Sequence, residues 1–298
     1  MLDGIPANVL GPADNLGRGD SMRFAELVSL MRSLDLGDPG FPRRPSRDSV
    51  RAVQSAVGAG LATEEFSLDC IELELDAALG ARQRPGAPAN IRPFHGIPDR
   101  GIFFRLFYWP PGKDAPPHEH TSWTVTGVFH RALTVTTYDW ETAVKERRLQ
   151  PKNVFQAERG RVGHIYEPCI HRPSNPTDRL AVSLHIFNSN DGPDLEARVG
   201  PIEGLATDMS PRRWPTAPAA FERAVATWRE RLLLMLADVL SRFRSPRAAD
   251  LLVRLTERGT PLVQLVVATI LETIDAPRAG KLLEELGEEA GLLTLRAS

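Results

Sequence analysis

The stretch from about residue 88 to 192 constrains this chain most. Short runs rich in Val, Ile, Phe, Thr and Tyr succeed one another there, at Ile102–Trp109, Trp123–Phe129, Leu133–Trp140 and Leu180–Phe187, with Pro, Gly and Asn between them. Branched and aromatic residues suit a pleated, half-buried surface, so these runs read as strands. Several short strands with turn signals between them predict a barrel or a sandwich.

Helical spacing flanks this β stretch on both sides. Phe24, Leu27, Val28, Met31 and Leu34 recur behind a cap at Asp20 or Ser21, and Val50, Val53, Val57 and Leu61 behind Ser46. The segment Phe66–Leu79 fits a helix through Phe66, Cys70, Leu73 and Ala77. It also fits a strand through Ile71, Leu73 and Leu75; helix is the preferred reading. After Pro211–Pro218 a long helix is expected over Phe221–Phe243, ended or kinked at Ser245-Pro246. Shorter amphipathic helices follow at Ala248–Glu257, Pro261–Thr273 and Pro277–Leu286, similar in length but without a sequence repeat. The expected class is α+β, with an N-terminal helical segment (1–87), a β-barrel (88–195) and a C-terminal helical domain (215–298).

Composition narrows the setting. A chain of 298 residues with 42% hydrophobic and 25% charged residues is long enough for one large core or two moderate ones. A net charge of −2 leaves no phosphate-binding footprint, so no nucleic-acid partner is expected. Arg43-Arg44, Arg147-Arg148 and Arg212-Arg213 are short basic runs that read as solvated surface. Two cysteines, Cys70 and Cys169, make no disulfide framework and fit a reducing compartment. No secretory signal and no membrane-spanning apolar run is visible, so the expected location is cytoplasmic.

The seven histidines are unevenly placed. His118 and His120 lie two apart after a Pro-rich approach, and on a strand such residues project to one face. About fifty residues on comes His171, ahead of a turn. Three neutral imidazoles suit zinc, iron, nickel or copper, and leave positions open for substrate. Taken alone, the pair also reads as surface histidines on an edge strand.

The spacing around them resembles the two signature motifs of the cupin superfamily. Gly112, His118, His120 and Gly127 match the first, and Pro168, His171 and Asn175 the second. Thr124 and Val125 stand where most cupins carry a carboxylate ligand, and Glu119 should point to the opposite face. A three-histidine set narrows the resemblance to the thiol dioxygenases, the cysteine dioxygenase-like cupins, over about a third of the chain. That resemblance implies a jelly-roll barrel and an Fe(II) ion on His118, His120 and His171. It further implies a substrate carboxylate held by Arg92, followed by Trp109 in the family's order. Ala181-Val182-Ser183-Leu184-His185-Ile186 is similar to the family's final Ser-x-His strand.

On that strand Val182, Leu184 and Ile186 share one face, and Ser183, His185 and Phe187 the other, which in a barrel turns inward. His185 reads either as a core histidine satisfied by Ser183 or as a group that orients substrate and carries a proton. Arg92 reads either as a loop charge or as a bidentate clamp, with Arg105 a weaker competitor. Two positions depart from the family. Phe187 replaces its tyrosine, and Val125 the cysteine that some members crosslink to it. Tyr166 or Tyr138 is a candidate for supplying the missing hydroxyl, and Cys169 reads as a small core residue.

The resulting expectation is a non-haem iron oxygenase acting on a small thiol or amino-acid-like substrate with dioxygen. The alternatives are an iron oxygenase with a non-thiol substrate, or a non-redox metal-binding cupin. No membrane partner is expected, and the C-terminal helices are the candidate homodimer surface.

Overall fold

A computed structural model describes residues 22–37, 45–80, 83–86, 93–120, 122–140, 149–166, 169–188 and 213–297, without the side chains of His120 and of residues 288–297. Arg92, Asp20 and Ser21 lie outside the described residues. The chain divides into two compact units, 1–80 with 91–211 and 81–90 with 212–298.

The first unit opens with three helices, α1 (Phe24–Ser33), α2 (Arg47–Leu61) and α3 (Glu64–Gly80). Arg23 occupies the N-cap of α1, where its backbone N–H donates to the Glu26 carboxylate at 2.6 Å. Ser46 caps α2 through its hydroxyl, which accepts from the Ser49 N–H at 3.0 Å. The ambiguous segment is helical, because Phe66, Cys70, Ile71, Glu74 and Leu75 all find buried surroundings on a helix.

Nine strands follow: β1 (His95–Ile97), β2 (Ile102–Trp109), β3 (His118–His120), β4 (Thr124–His130), β5 (Ala132–Trp140), β6 (Leu149–Glu158), β7 (Val162–Ile165), β8 (Cys169–Ser174) and β9 (Ala181–Asn188). They make two antiparallel sheets, β1-β2-β9-β4-β7 and β3-β8-β5-β6. The pairs β2–β9, β3–β8, β4–β7 and β5–β6 are nested, as in one long hairpin; pairings of β9 with β4 and of β8 with β5 roll that ribbon up. Such a ribbon is a jelly roll, which lays β2–β9 of one sheet over β3–β8 of the other.

Period-two alternation divides the first sheet. Ile102, Phe104, Leu106, Val182, Leu184 and Ile186 are buried on its outer face, under the helices. Phe24 of α1 meets Phe104 edge to face at 5.1 Å between ring centres. Gly127 lets α2 approach closely, since a Cβ there would lie 2.5 Å from Leu61 Cδ1. The inner face carries Arg105, Phe107, Thr126, Ser183 and His185, which share register positions across β2, β9 and β4.

The second unit holds α4 (Pro218–Leu240), α5 (Pro246–Thr256), α6 (Pro261–Leu271) and α7 (Ala276–Ala297). The long helix ends at Leu240, before Ser245-Pro246 as expected, and the next helix begins at Pro246. The Ser245 hydroxyl accepts from the Ala248 N–H at 3.2 Å, and Pro246 takes the first-turn place where a missing N–H costs nothing. Helix α5 packs on α4 and α6, and α6 on α7. Trp214 anchors the start of this unit, edge-on to Phe221 and Trp228 and donating its indole N–H to Gln83 at 3.0 Å.

Candidate functional site

The loops that carry the two histidine motifs are tied to each other before any side chain is aimed. Asn175, 1% exposed, donates through its amide to the carbonyls of Trp109 and Arg179 at 2.7 and 2.6 Å. Its Oδ1 accepts from the Thr177 N–H and hydroxyl at 3.1 and 2.7 Å. The Asn175 N–H donates to the Lys113 carbonyl at 2.8 Å, and Ala115 N–H to Pro173 at 3.1 Å. Gly112 sits at φ +66°, the left-handed conformation that lets the loop turn. Arg172 clamps Asp114 from the other side. These contacts fix how β3 enters beside β8.

His118 and His171 are direct partners across that ladder, and their rings lie 4.5 Å apart, centre to centre. His120 pairs with Cys169 two register positions on, which places it on the same face as His118. The His118 Nδ1 lies 2.9 Å from the Pro116 carbonyl. A carbonyl cannot donate, so Nδ1 carries a proton, and in the neutral ring the lone pair is on Nε2. His171 is nearly buried. Among the described side chains no three His, Cys, Asp or Glu groups meet closely enough to hold an ion; His120, the third imidazole of the expected set, is not among those side chains. The donor set fits a first-row metal in chemistry, and the His118–Pro116 bond is the second contact that ligating imidazoles ordinarily make.

A cavity of about 650 Å³ runs through this interior. His171, Thr137, Trp109, Thr126, Ser183 and His185 are among its lining residues. The Trp109 indole N–H donates to Ser183 Oγ at 2.8 Å, and Ser183 Oγ lies 2.8 Å from His185 Nε2. His185 Nδ1 is 3.3 Å from Thr126 Oγ1, and Phe107 packs on the ring at 4.5 Å. The hydroxyls and imidazole form a continuous chain in which a proton can reside on either side of the Ser183–His185 bond.

Tyr166 lines the cavity, with its hydroxyl donating to the Pro45 carbonyl at 2.7 Å and Arg47 stacked on its ring. Tyr138 and Cys169 also line the cavity, and burial raises the pKa of both.

Two groups were not singled out by sequence reasoning. His164 lines the cavity from β7, with Nδ1 2.7 Å from the Gln54 side-chain oxygen. The Gln54 amide donates to the Val162 carbonyl at 2.8 Å, so it presents oxygen to His164. Burial, then Arg51 and Arg47, hold this imidazole below its ordinary pKa. Thr126 is the other, and only the alternation of β4 could have signalled it. Arg105, set second to Arg92, stands directly opposite His185 on the inner face.

No family model matches the chain, and no curated protein matches it. Among solved structures it is similar to an oxalate oxidase in complex with glycolate, at 20% identity and TM-score 0.26 over 31% of this chain and 44% of that one. It is similar to oxalate decarboxylase from Bacillus subtilis at 20% identity and TM-score 0.25, over 31% and 22%. A third is an RmlC-like cupin family protein with a double-stranded β-helix fold from Methanocaldococcus jannaschii, at 10% identity and TM-score 0.23 over 29% and 69%. The chain spans less than half the length of the first two. The fold itself follows from the nested strand pairing. It is a double-stranded β-helix. Among the described residues, no helix is long and apolar enough to cross a membrane.

Proposed function

We propose that this chain is a metal-dependent oxygenase of the thiol dioxygenase-like type, with iron(II) held by His118, His120 and His171. The substrate is a small thiol or amino-acid-like molecule, and dioxygen is the oxidant. The observation that carries this reading is the cross-strand meeting of His118 and His171, with the His118 tautomer fixed by Pro116. When bound, the iron supplies open coordination positions at which substrate and dioxygen meet.

The chain's own residues then have separable tasks. Pro116 orients His118 through Nδ1. Trp109 holds the Ser183 hydroxyl by its indole N–H, which directs Ser183 at His185 Nε2. His185 accepts or returns a proton at that nitrogen, and Thr126 steadies the ring at Nδ1. The apolar walls Phe107 and Leu133 keep water from the interior.

Phe187, on the inner face, favours a second reading in which the same centre oxidises a substrate that is not a thiol, since no phenol stands there to meet sulfur. Reconstitution with iron(II), followed by oxygen uptake against a panel of thiols and amino acids, tests the function. Uptake is expected in the wild type and not in His118→Ala; equal uptake in both would end this reading. Mass spectrometry of the product separates the alternatives, because a thiol dioxygenase adds two oxygen atoms to sulfur.

A further inference from the structure

The cavity is larger than the reaction above needs. It measures about 650 Å³, whereas a dry cavity of about 150 Å³ already holds a molecule the size of benzene. Protein interiors are close-packed and carry few voids larger than a water, so space on this scale is a built feature of the barrel. It falls within the range of about 300–1,000 Å³ typical of pockets for ligands well above a free amino acid in size.

The walls are of one kind over part of their length. On the inner face of the second sheet, Thr137 is the partner of His171, Val135 of Pro173, and Leu133 of Ala157. All six line the cavity, and along β5 they follow the two-residue spacing that keeps a single face. Four residues of strand separate Thr137 from Leu133, so the strip runs about 13 Å from the level of the histidine. Leu133 and Ala157 are buried, Trp109 packs on Leu133, and Val128 lines the same space from β4. Charge stands outside this strip. Arg47, Arg51, Asp139, Lys152 and Arg161 also line the cavity but are exposed, Lys152 is paired with Asp139 at 2.9 Å, and Glu119 is half-buried on β3. A strip without charge, this long and beside a candidate metal ligand, suits hydrocarbon and not a second polar group.

We propose that the substrate bears an alkyl chain, which lies along β5 from Thr137 to Leu133 while its thiol or amino-acid-like end stays at His171. That this end reacts there rests on the oxygenase reading; the alkyl subsite itself does not.

n-Alkanols from butanol to decanol, titrated calorimetrically into the full-length protein, probe the strip without any reacting group. Each added methylene should tighten binding about fourfold until the strip is filled. Val135→Phe and Ala157→Leu, each checked for folding by its thermal melt, shorten the strip. Either should weaken octanol against butanol by about tenfold or more, the equivalent of two methylenes of contact. Nuclear Overhauser contacts between octanol and the Leu133 methyls locate the chain in the wild type, and carry the test should a variant fail to fold. Affinity that does not rise with chain length, octanol binding unchanged in the folded variants, or no contact at Leu133 overturns the proposal. Oxygen uptake by the iron(II)-loaded protein with ethanethiol, butanethiol and octanethiol supplies the second arm. Its kcat/KM should rise with chain length in the wild type and level off in Val135→Phe. Oxidation of all three thiols at one kcat/KM also overturns the proposal. If no thiol is oxidised while alkanol binding follows chain length and falls in the variants, the alkyl subsite stands and the thiol dioxygenase reading falls.

Discussion

The two faces of the first sheet are built from the same strands and do opposite things. Its outer face is apolar and dry: Phe104, Leu106, Leu184 and Ile186 lie under helices, where each excludes water and adds packing. Its inner face spends burial on polar groups, with Ser183 fully covered, His185 linked to it, and Arg105 alongside. One residue step along β9 passes from a group that holds the fold to a group that can move a proton. Alternation therefore separates stability from chemistry within a single strand, and substitutions on the two faces should fail in different ways.

The largest effect on stability belongs to the outer face. Phe104→Ala removes a fully buried ring from contact with Phe24 and Phe94, and should cost about 3–5 kcal/mol in chemical denaturation. A loss below about 1 kcal/mol would erase the distinction between the faces.

One outer-face group behaves like neither side. Glu74 is buried on α3, where the Tyr108 hydroxyl of β2 donates to it at 3.5 Å, and burial pushes its carboxyl up to about 8. The folded protein thus keeps a proton that the unfolded chain releases near its ordinary 4.5. Its contribution to stability is complete below about 4.5 and declines as pH rises towards about 8, by at most about 1.4 kcal/mol per pH unit. Glu74→Gln should flatten that decline and stabilise the protein at pH 8; denaturation across pH 5–9 reads the change in slope. A variant with the wild-type slope would show that Glu74 is ionised in the fold.

On the inner face the expectation reverses. Ser183→Ala cuts the chain from Trp109 to His185 and should cost only about 1–2 kcal/mol of stability. Its oxygen uptake should fall about 10–100-fold, the range typical when the contact that orients a reacting centre is lost. A stability loss as large as that of Phe104→Ala, with activity intact, would make the inner face ordinary core. The smallest effect is expected at the rim, where the Arg172–Asp114 pair is part exposed. Asp114→Asn should change stability by about 1 kcal/mol or less, and less again at high salt.

Much of this division was legible in the sequence, for a physical reason. In β9 the alternation of Val182, Leu184 and Ile186 with Ser183, His185 and Phe187 names both faces without coordinates. In β2 the same rule was obscured, because Phe103, Phe107 and Trp109 make the inner face as apolar as the outer one, so Arg105 looked incidental. His164 gave no signal, being a lone histidine whose partner Gln54 lies on a helix 110 residues earlier. The α1 cap lies at Arg23, because a backbone N–H and the Glu26 carboxylate do what a cap side chain would. The second motif's Asn175 is an organiser of loops; its bonds to Trp109, Arg179 and Thr177 could not be read from spacing alone. The nesting of β2 with β9 joins distant stretches, which local propensity does not encode.

Everything proposed for the reaction depends on one ion gathered by side chains from β3 and β8. Elemental analysis of the purified full-length chain, after loading with iron(II) and desalting, measures this most directly. The account predicts about one iron per chain in the wild type and a small fraction of that in His118→Ala, His120→Ala and His171→Ala, each folded by its thermal melt. Wild-type iron content in all three variants would contradict it.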